Sequence, residues 1–287
     1  MLLHSAVPNR IGNLGSLLET FLPWLGLLVP VLLAVALFRR SVSALVALLL
    51  PVTVWLNLFG GLLTDKSSAP SDLTLTSHNV DAGNLDPQRT ARDLAGSGSD
   101  VLALQELTPQ ASRVYARELA KAYPYHSVEN TVGVWSKRPL SDTRPVDLGL
   151  GWTRALRTTV TTRQGPLAVY VAHLPSVRVK FNAGFTAGQR DASANALGDA
   201  IAAEPVRRVV LLGDLNGTMN DRALAGVTSQ LRSAQGAAGN GFGFSWPASF
   251  PMARIDQILV RGVEPVKSWV MAPTGSDHRP VAAAVRF

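Results

Sequence analysis

Two long apolar runs occupy the first quarter of the chain. Residues 20–38 and 41–64 contain no charged side chain, and only Arg39 and Arg40 separate them. Each run has about 20 residues, the length a helix needs to cross a hydrocarbon core. Neither run carries the polar stripe that a helix on a protein surface would show. We therefore predict a hairpin of two transmembrane helices, at about 20–38 and 41–64, within a membrane anchor spanning residues 1–65.

Two other interpretations of these runs remain open. They could be buried helices of a soluble domain, or the second could precede a signal-peptide cleavage near residues 67–69. The Arg39–Arg40 pair places the hairpin connection in the cytoplasm and both chain ends outside, because basic loops stay inside. Arg10 and Lys66 act against this orientation. The predicted protein is a multi-pass cell-membrane protein with its remaining domain outside the cytoplasm.

Beyond a linker at residues 66–71, residues 72–287 have the pattern of one globular domain. Short apolar runs bounded by turn residues predict buried strands. The predicted strands lie at 73–77, 101–104, 132–135, 167–172, 209–212, 255–260 and 281–285. Helical stretches are predicted at 87–95, 109–122, 183–203 and 220–226, where Pro109 suits a first helical turn. This mixture predicts an α/β or α+β sandwich.

Composition and net charge narrow the kinds of partner and of functional site that the chain can have. The net charge is +7, from 27 basic and 20 acidic residues, and the pI is about 10.2. A basic balance suits an anionic partner, either nucleic acid or an anionic lipid surface. The absence of cysteine excludes disulfides, a cysteine-ligated zinc site and a thiol nucleophile.

Polar residues close or interrupt several of the predicted strands. They are Asn79, Gln105, Glu106, His173, Asp214, Asn216, Asp256, Asp277 and His278. A single Asp at a strand end is more often a turn former or a cap than a catalytic group. Several of them in order along one sandwich are well placed to converge on one rim, and this pattern indicates a functional site.

The ordered motifs SHNV, ALQE, GVWSKRPL, VAHLPS, LLGDLN, ARIDQILV and SDHRP resemble the endonuclease/exonuclease/phosphatase superfamily. The resemblance implies a four-layered α/β/β/α sandwich with Mg2+-dependent phosphoesterase activity, with Mn2+ as an alternative metal. It also implies Asn79, Glu106 and Asp277 at the metal, and His173, Asp214, Asn216, Asp256 and His278 as catalytic residues. In the implied scheme, Asp256 orients His278. Whether Asp214 or His278 takes the proton from water stays open.

Some residues have two interpretations. Arg178, Lys180 and Arg190 either bind a substrate head group or form a solvated basic face. Trp246 and Phe250 either edge the substrate cleft or cover the sandwich. His78 stands where the family often has an aromatic residue, and packing explains it better than a phosphate contact. A hydrolytic zinc site has little support, because the chain has neither cysteine nor an HExxH helix.

The superfamily fold does not fix the substrate. The two apolar spans and the segment SWPASFPMARID most resemble a membrane-bound bacterial branch typified by the VanJ teicoplanin-resistance protein. The resulting expectation is hydrolysis of a phosphate ester or pyrophosphate of a membrane lipid, such as a polyprenyl carrier or a phospholipid. The expected partners are the bilayer and this lipid, and no protein partner is indicated. A surface-tethered nuclease is the alternative, and a non-catalytic binding module is a third.

Overall fold

The computed structural model describes residues 1–9, 14–68, 70–176 and 184–287. The described part contains twelve strands. They are β1 (Leu73–Asn79), β2 (Val101–Gln105), β3 (Tyr125–Glu129), β4 (Val132–Ser136), β5 (Leu140–Pro145), β6 (Ala155–Thr162), β7 (Gly165–His173), β8 (Val209–Asp214), β9 (Arg232–Ser233), β10 (Asp256–Arg261), β11 (Glu264–Val270) and β12 (Val281–Arg286).

Eight α-helices accompany these strands in the described ranges. They are α1 (Leu14–Thr20), α2 (Leu28–Phe38), α3 (Val42–Phe59), α4 (Pro87–Ala95), α5 (Pro109–Leu119), α6 (Gly184–Ala202), α7 (Ala225–Thr228) and α8 (Ala234–Ala238). Asp86 and Thr108 cap α4 and α5 by accepting bonds from Arg89 N and Ala111 N, and a proline follows each cap. The start of α5 confirms the signal predicted from Pro109, and α4 begins with the same combination of a capping residue and a proline.

The strands form two six-stranded sheets. Their orders are β11-β12-β1-β2-β4-β3 and β5-β6-β7-β8-β10-β9. Apolar side chains of both sheets, such as Leu75, Val134, Val169 and Leu212, meet in one buried cluster between them. The outer face of the first sheet packs against α4 and α5, and that of the second against α6 and α7. The result is the expected α/β/β/α arrangement.

All seven strands predicted from apolar runs are present, but five others were missed. Among these, β3 and β5 are edge strands whose side chains are largely exposed or half-buried. They lack the continuous apolar run that marks a buried strand. The helix predicted at 220–226 is instead a 3-10 turn at Arg222–Leu224 followed by α7.

The first predicted membrane span is not one straight helix. It consists of the end of α1, a 3-10 helix at Leu22–Leu27, and α2, with a bend of 65° between Leu14–Thr20 and Leu22–Phe38. Pro23 stands at the start of the 3-10 helix. Within the described residues, one helix, Val42–Leu62, is by itself long and apolar enough to cross a membrane, with a mean hydropathy of 2.1. It is therefore a candidate span by length and composition.

The N-terminal helices pack on the sandwich through specific contacts. Trp24 stacks on Phe244 at 5.6 Å and donates to Met252 O at 2.8 Å. Trp55 and Phe59 contact Phe242. The division into anchor, linker and catalytic domain at residues 65 and 71 stays a prediction, and these contacts join its first and last parts.

Candidate active site

Strand pairing brings the predicted polar residues to one end of both sheets. In the first sheet, Asn79 at the end of β1 pairs with Gln105, the residue before Glu106. In the second sheet, Asp214 at the end of β8 pairs with His173 on one side and with Asp256 on the other. One rim of the sandwich therefore carries all of these groups, as the sequence pattern predicted.

The backbone turns sharply where two of these strands end. Glu106 and Asn216 have backbone φ values of 60° and 47°, in a region that residues other than glycine rarely adopt. Such conformations cost free energy and gather at functional sites. Gly213 is required for close approach, because a Cβ there would lie 1.9 Å from Ala172 O on β7. Glu106 and Asn216 both line the cavity at this end of the sheets.

Asn79 links the carboxylates of the two sheets. Its amide nitrogen donates to Glu106 Oε1 and Asp214 Oδ2, both at 3.0 Å, while its oxygen accepts from Asp81 N. Asn79 is buried, whereas Glu106 is about one-third exposed. Asn79 thus holds two acidic side chains close together, and its role as a metal ligand stays a prediction.

Asp256 fixes the orientation of His278. Its Oδ2 lies 2.8 Å from His278 Nδ1 and also accepts from Ser245 Oγ at 2.6 Å. The opposite ring nitrogen, Nε2, lies 3.8 Å from Asp214 Oδ2 and 3.9 Å from Asp277 Oδ1. The contact between Asp256 Oδ2 and His278 Nδ1 supports the orienting role that the resemblance implies for Asp256.

The pKa values of Asp214 and His278 are both raised, but for different physical reasons. Burial, together with the nearby Asp256 carboxylate, raises the pKa of Asp214 to about 7. Burial by itself would lower the pKa of His278, but Asp256, Asp214 and Asp277 outweigh it and raise the value to about 10. His278 is therefore a cation at neutral pH, beside a carboxylate that titrates near neutrality.

Arg154 is a cavity residue that the sequence analysis did not single out. Its guanidinium lies 2.6 Å from His173 Nε2, and His173 Nε2 is 3.6 Å from Glu106 Oε1. Burial and the Arg154 charge hold the pKa of His173 well below its usual value. Arg154 directly precedes β6, which has no continuous apolar run, so no pattern marked its position.

These groups line a cavity of about 760 Å3. Its polar end has Glu106, Arg154, His173, Asp214, Asn216, Asp277 and His278. Asn79 and Asp256 lie behind this surface. Trp152, Trp246 and Ile255 add apolar surface to the same cavity. Trp246 thus edges the cleft, one of the two interpretations given above, and its ring nitrogen points to Asp277 Oδ2 at 3.4 Å.

The substrate-binding arginines predicted from the sequence lie elsewhere or outside the described residues. Arg178 and Lys180 fall in the segment that the structure does not describe. Arg190 is buried, pairs with Asp221 and does not line the cavity. His78 is fully buried with Nε2 2.9 Å from Thr274 Oγ1, which agrees with a packing role.

The donor set fits a divalent metal ion. Four carboxylates, Glu106, Asp214, Asp256 and Asp277, gather around two cationic side chains, Arg154 and His278. Carboxylate oxygens of Asp214 and Asp256 lie within 4.8 Å of each other and of a ring nitrogen of His278. Among the described residues, no donor lies within hydrogen-bonding distance of the buried Asp256 Oδ1. An excess of carboxylate oxygens at one rim suits a hard divalent cation.

Comparisons with known proteins agree with this geometry. The model of the Endonuclease/Exonuclease/phosphatase family matches residues 76–278. No curated protein sequence matches the chain. The chain therefore belongs to the endonuclease/exonuclease/phosphatase family by its family model, which covers more than half of it. It is a metal-dependent phosphoric ester hydrolase of that family.

Several solved structures share the fold at low identity. Humanized TDP2 of D. rerio has 20% identity and a TM-score of 0.62, covering 75% of this chain and 99% of that one. Beta toxin of Staphylococcus aureus with bound magnesium ions has 17% identity and a TM-score of 0.57, covering 75% and 99%. A mannosyl-6-phosphatase of Bacteroides thetaiotaomicron has 15% identity and a TM-score of 0.60, covering 75% and 100%. At this identity the likeness supports the fold alone.

Proposed function

We propose that the protein is a membrane-anchored, Mg2+-dependent phosphoesterase that hydrolyses a phosphate ester or pyrophosphate of a membrane lipid outside the cytoplasm. The observation that carries the proposal is that the N-terminal segment lining the active-site cavity continues into two apolar helices whose side chains are mostly exposed or half-buried. Only 6% of the Val42–Leu62 window is buried, so most of its apolar side chains are exposed or half-buried. A bilayer would cover such a surface.

The charges at the rim suit attack by water on a phosphoryl group. Asp214, with its pKa raised to about 7, suits a general base at neutral pH, which supports Asp214 over His278 in that role. His278, held as a cation by Asp256, is placed to donate to a phosphoryl oxygen. Neutral His173 and the Asn216 amide complete the polar end of the cavity.

Glu106 and Asp277 are the carboxylates best placed to hold the metal, because both line the cavity and Glu106 is anchored by Asn79 and by Ala82 N. A bound Mg2+ would neutralise charge on the phosphoryl oxygens and lower the pKa of a bound water. Mg2+ is favoured over Mn2+ by the expectation from the sequence. The magnesium ions in the beta toxin structure belong to that protein and set a precedent within the fold.

A nuclease is the second candidate. The pI of about 10.2 suits a phosphate backbone, and one structure with the same fold is D. rerio TDP2 with a single-stranded DNA product. A nucleic-acid groove needs cations along the backbone path. Among the described residues that line the cavity, Arg154 is the one Arg or Lys side chain, and it faces His173. This distribution favours the lipid substrate. The resemblance to the VanJ-like membrane branch favours it as well.

A substrate panel tests the proposal. Purified full-length protein in detergent with Mg2+ is assayed against polyprenyl pyrophosphate, sphingomyelin, a phosphatidylinositol, and single- and double-stranded DNA. We expect hydrolysis of at least one lipid, at least a hundredfold faster than of DNA, and complete loss in EDTA with recovery on adding Mg2+. Faster cleavage of DNA than of every lipid would make the protein a nuclease. No turnover of any substrate would favour the non-catalytic binding module.

Reporter fusions test the topology. Arg39 and Arg40 lie exposed at the turn between α2 and α3, where the positive-inside rule places them in the cytoplasm. Alkaline phosphatase fused after Lys66 should then be active, and green fluorescent protein at the same site should be dark. The opposite pattern would put the catalytic rim in the cytoplasm and direct the search to intracellular lipids.

A further inference from the structure

The N-terminal segment forms one wall of the active-site cavity. Leu17 and Thr20 of α1, and Phe21 directly after it, line the same cavity as Glu106, Asp214 and His278. All three are half-buried, so part of each side chain faces open space. On a helix, residues three and four apart share one face, which places Leu17, Thr20 and Phe21 together. The catalytic site is therefore built from both ends of the chain.

Buried polar contacts on the adjoining face of α1 hold this wall in place. Glu19 is fully buried, with Oε1 2.9 Å from His4 Nδ1 and Oε2 accepting from Arg222 N at 3.2 Å. Ser16 Oγ lies 3.3 Å from Asp221 Oδ1. Gly15 permits the close fit, because a Cβ there would lie 2.4 Å from Val7 O. Breaking these contacts would leave buried charges unpaired, so α1 is a fixed wall rather than a loose tether.

The cavity is consequently amphipathic. Its charged groups sit at the rim of the sheets, and Leu17, Phe21, Trp152, Trp246 and Ile255 supply apolar surface beside them. A phosphoester held at Asp214 and His278 would direct its esterified group along this surface. Burying hydrocarbon against apolar side chains is favourable in proportion to the area removed from water.

We propose that Leu17 and Phe21 are specificity-determining residues that bind the hydrocarbon group attached to the phosphate. The ligand class is an amphipathic phosphoester with an alkyl or isoprenoid chain. This inference rests on the proposed function only in taking the Asp214 rim as the phosphate site. The chain following Phe21 continues through the 3-10 helix Leu22–Leu27 into the exposed apolar helix α2, which links this wall of the cavity to the surface that a bilayer would cover.

Binding of short phosphonates tests the inference without requiring turnover. Methyl-, butyl- and hexylphosphonate remain in water, and their affinity for the full-length protein in detergent with Mg2+ can be measured by calorimetry. Each buried CH2 should raise the affinity by up to about threefold to fourfold. We expect hexylphosphonate to bind wild type at least about tenfold more tightly than methylphosphonate.

Substitutions then locate the chain-length effect. Phe21→Ser and Leu17→Ser should reduce the gain from methyl to hexyl to about twofold, while methylphosphonate binds as in wild type. Phe21→Leu should restore most of the gain. The matched control is Phe38→Ser, at the far end of α2, where the side chain is 91% exposed and outside the cavity. Thermal unfolding of each variant checks that α1 stays in place.

Three results would overturn the inference. They are the absence of a chain-length effect in wild type, an unchanged effect in both serine variants, and tighter binding of a thymidine dinucleotide than of hexylphosphonate. The last result would instead assign the wall to nucleic acid. A chain-length effect that depends on Phe21, in a protein that hydrolyses no phosphoester, would sustain the inference and reject the proposed activity.

Discussion

Two buried polar clusters at the second sheet each contain a carboxylate beside a cationic side chain. The pKa values of the two carboxylates are shifted in opposite directions. At the catalytic rim, Asp214 lies among other carboxylates, and burial raises its pKa to about 7. On the helix-covered face, Glu204 accepts two bonds from Arg157, both at 2.8 Å, and one from Tyr170 at 2.9 Å. Burial opposes ionisation there too, but Arg157 and Val206 N outweigh it and lower the pKa of Glu204 to about 2.

The difference separates a catalytic cluster from a structural one. Every side-chain oxygen of Glu204 has a donor, whereas Asp256 Oδ1 has none among the described residues. A fully paired buried carboxylate stabilises the fold once its desolvation is offset. A buried carboxylate crowded by other carboxylates, as Asp214 is by Asp256, is destabilising in the free protein, and it persists where chemistry or a cation uses it. The two clusters should therefore respond in opposite ways to neutralisation.

The largest expected effect is loss of turnover in Asp214→Asn. Removing the proposed general base should lower kcat on a soluble aryl phosphodiester by on the order of a hundredfold or more. The amide cannot carry the charge that burial and Asp256 oppose, so the melting temperature of metal-free protein should stay equal or rise. The matched change at the other cluster, Glu204→Gln, should keep kcat within about twofold and lower the melting temperature. A destabilised, fully active Asp214→Asn would contradict the comparison.

Loss of stability in Arg157→Leu is the next largest effect. The Arg157 side chain is only 3% exposed and contacts Glu204 and Asp142. Removing it leaves Glu204 ionised and buried, which costs about 3–5 kcal/mol of unfolding free energy. Denaturant unfolding of metal-free protein measures this loss. A double variant, Arg157→Leu with Glu204→Leu, should recover much of it, and failure to recover would mean that the pair itself is not the cause.

The sequence predicted Glu106 and Asp214 at strand ends because apolar runs end at these polar residues. Pairing of the strands then brings them to the same end of the sandwich. The sequence did not predict the edge strands β3 and β5, because their side chains are largely exposed or half-buried and form no apolar run. Leu17 and Phe21 were missed for a different reason. Their apolar character fits a membrane segment equally well, and their place in the cavity depends on contacts of Glu19 and Ser16 with residues about 200 positions away, which no local pattern shows.

A smaller effect is the pH dependence of the two clusters. Glu204 has a lowered pKa, so its contribution to stability is present above the unfolded value near 4.5 and is lost as the pH falls toward 2. Asp214 has a raised pKa, so the folded state binds its proton more tightly, and its penalty is relieved as the pH falls from about 7 toward 3.8.

Melting curves in EDTA measure both contributions by difference. The gap between wild type and Glu204→Gln should close between pH 4.5 and 2. The gap between wild type and Asp214→Asn should narrow between pH 7 and 4, because protonated Asp214 resembles the amide. Gaps that stay constant over both ranges would show that neither carboxylate has the assigned shift.

The smallest effect is expected for a pair that resembles the structural cluster in geometry but not in burial. Arg232 Nη2 lies 2.7 Å from Glu264 Oε1, as close as Arg157 lies to Glu204, yet both side chains are about half-exposed. Water screens such a pair and replaces its contacts, so Arg232→Ala should change the unfolding free energy by about 0–1 kcal/mol. Denaturant unfolding beside Arg157→Leu gives the direct comparison. A loss in Arg232→Ala as large as that in Arg157→Leu would mean that ion pairing, rather than burial, sets the contribution of both ion pairs to the unfolding free energy.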